Sequence, residues 1–95
     1  MGFKLSRKAE EDLTDLYVAS VEAFGQAQAE RYYAEFEATF AMLAQFPRWA
    51  RERLEIDPSV RVHPHKAHVI VYVIEHRDVL ILRIRHGHED WAEEG

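Results

Sequence analysis

The chain has 95 residues, a formal net charge of -5, 47% hydrophobic and 12% aromatic residues, and no cysteine. A chain of that length buries only roughly 60–65% of the surface its unfolded form exposes, so a single, thinly stabilised domain is expected over residues 1–95. The lack of cysteine excludes a disulfide framework and a thiolate nucleophile. The longest apolar run, Val69 to Ile74, falls far short of the roughly 20 residues that span a bilayer, and the opening MGFKLSRKAEEDL has no signal-peptide core, so a cytoplasmic protein is expected.

Phe3 to Leu5 can start an edge strand. Ser6 suits a helix N-cap, and Glu10, Glu11 and Asp12 follow in early turns where the helix dipole favours negative charge. Ala9, Leu13, Leu16, Tyr17, Ser20 and Phe24 recur at helical spacing and mark one face of a first helix, which Gly25 can close in a left-handed cap. A second helix is predicted from about Gln26 to Gln45. Its apolar stripe is Ala29, Tyr32, Tyr33, Phe36, Phe40 and Leu43, and Pro47 prevents continuation beyond Phe46. So short a link requires an antiparallel helical hairpin.

Pro47 to Ser59 reads as a loop with room for a helical turn, carrying Arg48, Trp49, Arg51 and Arg53. Val60 to His63, His68 to Glu75 and Val79 to His86 then read as strands of an antiparallel meander, separated by Pro64 with Lys66 and by His76 to Asp78. Val69 to Ile74 is apolar on both faces, as a central strand requires. Val79 to His86 changes midway from continuous apolar residues to alternating Arg83, Ile84 and Arg85, so one face of its end must be wet and positive. The expected fold is α+β, in the order β-α-α-β-β-β. Its N-terminal strand and helical hairpin pack on an antiparallel sheet and leave the other face partly open.

Charge is unevenly placed: residues 1–46 hold four basic against eight acidic residues, residues 47–88 eight against five, and residues 89–95 four acidic and none basic. Arg83 and Arg85 share a face by strand alternation. With His86, and with Arg61 one strand away, they can offer cations to a partner's carboxylates or phosphates. The plainer reading pairs them with acidic neighbours such as Glu75, Glu89 and Asp90. His63 with His65 and His86 with His88 have a spacing zinc would accept, but no third ligand is evident and no metal is expected. Trp49 and Trp91 lie outside the apolar stripes and either cap a core edge or anchor a partner.

FKLSRKAEEDL opening the first helix, FGQAQAERYYAEF across the helix junction, LAQFPRWARERL after the second helix and VLILRIRHGHEDW in the last strand together resemble ParE toxins of the RelE/ParE superfamily over nearly the whole chain. The most specific segments are Phe24-Gly25-x-x-x-Ala29, the Leu-Ala-x-Phe-Pro ending at Leu43 to Pro47, and the Arg-Ile-x-His-Gly close at Arg83 to Gly87. The resemblance implies a bacterial type II toxin that inhibits DNA gyrase by binding, with no reaction catalysed and no cofactor. It also implies neutralisation by a ParD antitoxin whose C-terminal segment folds along an apolar groove of the toxin. Arg61, Arg83, Arg85, His86, Trp49 and Trp91 are then the candidate antitoxin- or target-binding residues. The alternative is a ribosome-dependent messenger-RNA endoribonuclease resembling RelE and YoeB, with His86 or His63 as general acid or base. Against it stand the acidic net charge and the lack of a C-terminal tyrosine, since Trp91 cannot donate a proton in its place.

Overall fold

A computed structural model of the chain describes residues 2–87. In chain order the elements are β1 (Phe3–Leu5), α1 (Arg7–Phe24), α2 (Gln26–Gln45), β2 (Glu52–Arg53), β3 (Val60–His65), β4 (His68–Glu75) and β5 (Asp78–His86). The five strands form one sheet in the order β1-β5-β4-β3-β2, with β4 at its centre. Both helices pack on one face. The sheet is mixed rather than wholly antiparallel, because β1 runs parallel to β5 while every other pairing is antiparallel.

Ser6 fixes that parallel edge and the start of α1 together. Its amide donates to the Ile81 carbonyl at 2.9 Å, its hydroxyl donates to the Leu82 carbonyl at 2.8 Å, and the same hydroxyl accepts the Ala9 amide at 3.1 Å. One small side chain thus caps the helix and ties it to the sheet. From there Ala9 and Leu13 of α1 and Ala29, Phe36, Phe40, Leu43 and Ala44 of α2 are buried. Ala9, Leu13, Phe36, Phe40 and Leu43 form one core cluster with Ile70, Tyr72, Val79, Ile81 and Ile84 of the sheet. Each buried aromatic removes about 150–250 Å² from water, a gross gain of about 4–6 kcal/mol before the entropy of ordering it is subtracted. Phe36 and Phe40, both fully buried, therefore carry much of the core.

A single residue joins the helices. Gly25 has φ 88° and ψ 164°, an extended backbone with positive φ rather than the left-handed helical cap expected from the sequence. That region is open essentially to glycine alone. The strand turns are also unusual in composition. Lys66 and His76, with φ 56° and 57°, each open a two-residue turn, the first between His65 and His68 and the second between Glu75 and Asp78. Tight hairpins need positive φ at that point, and here they take it without the glycine that would announce it.

β3 runs through Pro64 to His65, two residues beyond the sequence estimate. Because the amide of Gly87 donates to Ala67, alternation directs the odd-numbered residues of β3 toward β4 and leaves Pro64 facing the open edge past the end of β2. A proline there costs no ladder hydrogen bond. The two-residue β2 itself lies inside the stretch read as loop, pairing Glu52 with Arg61 and Arg53 with Val60.

A bulge in β5 sets which way its side chains point. Val71 pairs with Arg83 but Tyr72 pairs with Ile81, so Leu82 is the extra residue. Ile81 and Ile84, three apart, can then both face the helices, while Arg83 and Arg85 leave the strand from the alternate face and lie at its edge beside α1.

Candidate partner-binding groove

β1 accompanies β5 only as far as Ile81. Past that point α1 crosses the strand edge, and Asp12 takes over the role of a neighbouring strand. Its carboxylate accepts the Ile84 amide at 3.0 Å and the Arg83 guanidinium at 2.8 Å and 3.1 Å. Farther along, α1 presents the short side chains Ala19, Ser20 and Ala23 toward the sheet, and these cannot fill the space before it. What remains is a groove of about 890 Å³ between the second half of α1, the first half of α2, the β3–β4 turn and the end of β5.

Its walls are amphipathic. Leu16, Ala19, Ala23, Phe24 and Ile84 supply apolar surface, and charges of both signs flank it, with Asp15 and Glu35 on one side of the balance and Arg31, Lys66 and Arg85 on the other. Phe24 is 66% exposed at the lip, although its helical spacing had placed it with the packed residues of α1. The floor is a cluster of rings. The Tyr32 hydroxyl lies 3.0 Å from His68 Nδ1, with the donor set by the histidine tautomer. His68 meets His86 edge-on at 5.4 Å, and His65 stacks on Tyr32 and packs 4.5 Å from Phe36. Lys66 bonds Glu35 at 2.7 Å and sits 5.3 Å from the Tyr32 ring.

Burial pushes the Tyr32 hydroxyl up from the ordinary phenol range, so it stays protonated and serves as a neutral donor and acceptor. Burial also lowers the pKa of His63 and His65, which favours uncharged imidazoles beneath α2. The hydrogen bond between Lys66 and Glu35 raises the former and lowers the latter. Among the described residues no group of three His, Cys, Asp or Glu side chains could hold a metal ion. Nor is any helix long and apolar enough to cross a membrane. Apolar ribs, rings offering single hydrogen bonds and balanced rim charges suit an amphipathic polypeptide segment better than a small polar substrate.

The family model described as the ParE toxin of the type II toxin–antitoxin system parDE matches residues 3–91. The chain belongs to the ParE toxin family. Among curated members, Toxin ParE1 of Caulobacter vibrioides is 32% identical over 84 residues, covering 88% of this chain and 86% of that protein. Toxin ParE3 of the same organism is 30% identical over 87 residues, covering 92% and 87%. A solved structure described as the chromosomal ParDE TA system from P. aeruginosa superposes with a TM-score of 0.78 at 24% identity, covering 90% of this chain and 95% of the other, a likeness of fold.

Within this ParE fold the candidate residues separate. Arg85 and His86 line the groove. Arg83 shares the face of Arg85, as alternation requires, but its guanidinium is bound by Asp12 across the strand edge. Arg61 is not brought to them. It pairs with Tyr72 on the helix-facing side, its side chain is only 13% exposed, and its guanidinium donates to the Ala50 carbonyl at 2.7 Å and lies 3.9 Å from Glu52. Trp49 stands exposed on the loop after α2, away from the groove, and Trp91 lies outside the described residues, as do His88, Glu89 and Asp90. Sequence reasoning missed Tyr32, Lys66 and His68 as surface-forming residues. Their only signal was a tyrosine and two cationic residue types near predicted element ends.

Proposed function

We propose that this ParE-family toxin acts by binding DNA gyrase, without catalysing a reaction of its own, and that a ParD-like antitoxin silences it by folding a segment into the groove between α1, α2 and β5. The observation that carries the reading is the groove itself, about 890 Å³ of amphipathic surface left open in a small domain of this family. An antitoxin segment with aliphatic residues facing Leu16, Ala19 and Ala23 and acidic residues facing Arg31 and Arg85 would match it. Many weak contacts then offset the cost of ordering a disordered chain.

Purified toxin added to gyrase and supercoiled or relaxed plasmid should block supercoiling or accumulate cleaved DNA, and antitoxin added in stoichiometric amounts should restore activity. Arg85→Glu should weaken antitoxin binding more than Lys8→Glu, and equal effects would count against the groove as the site. The ring cluster of Tyr32, His68 and His86 supports a second reading, a ribosome-dependent endoribonuclease, since it places two imidazoles beside a phenol in a groove that Arg31, Lys66 and Arg85 also line. Cleavage of translating message, lost in His86→Ala while gyrase is untouched, would decide for it.

A further inference from the structure

Phe46, Trp49 and Leu54 are 53%, 68% and 74% exposed, three large apolar side chains within nine residues of the α2–β3 loop. Exposure of that kind usually belongs to a slack loop. This one is fastened. The buried Tyr72 hydroxyl donates to the Pro47 carbonyl at 2.9 Å and accepts the Ala50 amide at 3.4 Å, and Arg61 holds the Ala50 carbonyl at 2.7 Å. Trp49 lies between those anchors, its own amide bonded to the Phe46 carbonyl at 3.0 Å, so its ring is turned outward on a fixed backbone.

The charges around it are equally ordered. Arg53 bonds Glu55 at 2.6 Å, and Glu52 lies 3.9 Å from Arg61. Arg48 and Arg51, on either side of Trp49, are exposed and form no ion pair among the described residues. From residue 46 to residue 61 four arginines stand against three carboxylates, in a chain that is acidic as a whole. A tryptophan on a fixed backbone, flanked by two exposed arginines in a segment with one positive charge in excess, has the composition of an interface hot spot, and the fold has already met the cost of ordering the backbone that presents it.

We infer that the Phe46–Trp49–Leu54 surface is a second docking site, separate from the groove, that seats an apolar pocket rimmed with carboxylates on the toxin's protein target. It lies beyond the C-terminal end of α2, whereas the groove is lined by the N-terminal half of that helix, so the two surfaces are presented at different ends of one element. The inference rests on the reading that the toxin acts by binding a protein.

The test uses the full chain carrying Trp49→Ala, or Arg48→Glu with Arg51→Glu, with Lys8→Glu as a charge control. Each is scored for growth arrest on induction without antitoxin, for inhibition of gyrase, and for antitoxin affinity by calorimetry. Both variants should need about ten-fold more toxin or greater for arrest and inhibition, while antitoxin affinity stays within about two-fold of the parent. Unchanged arrest overturns the inference. So does a loss of antitoxin affinity in place of arrest, which would make antitoxin the occupant. A dimer of the parent toxin in sedimentation that the variants dissolve, or plasmid binding by toxin alone that they abolish, would likewise overturn it. If the variants lose growth arrest although the parent leaves gyrase untouched, the docking site stands and the gyrase reading fails. A parent chain that does not arrest growth overturns both.

Discussion

Replacing Tyr72 by Phe removes one oxygen atom and leaves the shape of the core intact, so its effect isolates the tie between core and loop. Tyr72 is fully buried, and burial pushes its hydroxyl up from the ordinary phenol range, which keeps the proton available for donation. The bond donated to Pro47 is short and the one accepted from Ala50 is long, at 2.9 Å and 3.4 Å. A net contribution of about 1 kcal/mol for the first, about 0.5 for the second, and about 1 for stranding the buried Ala50 amide gives a loss of about 2–3 kcal/mol. For a chain expected to hold about 5–14 kcal/mol in all, that is a large share. In urea the midpoint should fall by about 1.3–2 M for an m-value of roughly 1.5 kcal/mol/M, with the slope itself unchanged. Amide exchange at Ala50 should quicken, because Tyr72 is its acceptor, while exchange at Ile84, bonded to Asp12, should follow only the global loss. A destabilisation below about 0.5 kcal/mol, or equal changes at both amides, would refute the claim that Tyr72 holds the loop.

Asp12→Ala should cost about 2–3 kcal/mol, since it strands the Ile84 amide and removes the carboxylate that accepts two bonds from Arg83, whereas Asp12→Asn should recover about 1 kcal/mol by still accepting from the amide; thermal unfolding midpoints rank the three proteins. Gly25→Ala should lose about 1–3 kcal/mol through backbone strain alone, as a methyl group there would touch nothing, and denaturant titration reads it directly. His65 is held neutral by burial, so its contribution is complete above the ordinary imidazole pKa of 6.5 and declines as pH falls below it toward the depressed folded value. Stability should therefore drop as pH falls below about 6.5 in the parent and drop less in His65→Gln, with His63 supplying the remainder. The decline expected from Glu35 and Glu55, whose pKa values are lowered by their cationic partners, begins only below the ordinary carboxylate range and stays separable.

Element order was legible because it is written in periods. Leu13, Phe36, Phe40 and Leu43 fall on helical spacing, Ile70 and Tyr72 on strand alternation, and Ser6, Gly25 and Pro47 mark the boundaries. Contacts between distant segments were not. Glu75, Glu89 and Asp90 were the natural suggestions for pairing with the terminal arginines, and the last two lie outside the described residues; Arg83 binds Asp12, 71 residues away, a partner that no spacing suggested, because a three-residue β1 stops short and brings α1 against the strand edge. The bulge at Leu82 was hidden for a related reason. A break in alternation within VLILRIRH fits a change of environment as well as an inserted residue, and only the pairing of Tyr72 with Ile81 distinguishes them. Arg61 looked like a surface cation from its position in β3. Its partner, the Ala50 carbonyl, is a backbone group that no residue pattern reveals.

Phe24, Phe46, Trp49 and Leu54 are large apolar residues that the core does not use. In a domain this small, where little surface is hidden, a polar residue at any of the four would lose few contacts in the isolated chain and would favour solubility. Ala19 and Ala23 pose the opposite problem, since leucine at either would add packing over Ile84 and narrow the groove. Folding alone therefore explains neither the exposed rings nor the unfilled space. Both make sense if the fold is organised around surfaces completed by other chains, with Asp12 sealing the β5 edge beside the groove and Tyr72 fixing the loop that presents Trp49. The two tethers draw on the same sheet but can be cut separately, which is why substitutions at Asp12 and Tyr72 should perturb different surfaces of one stable molecule.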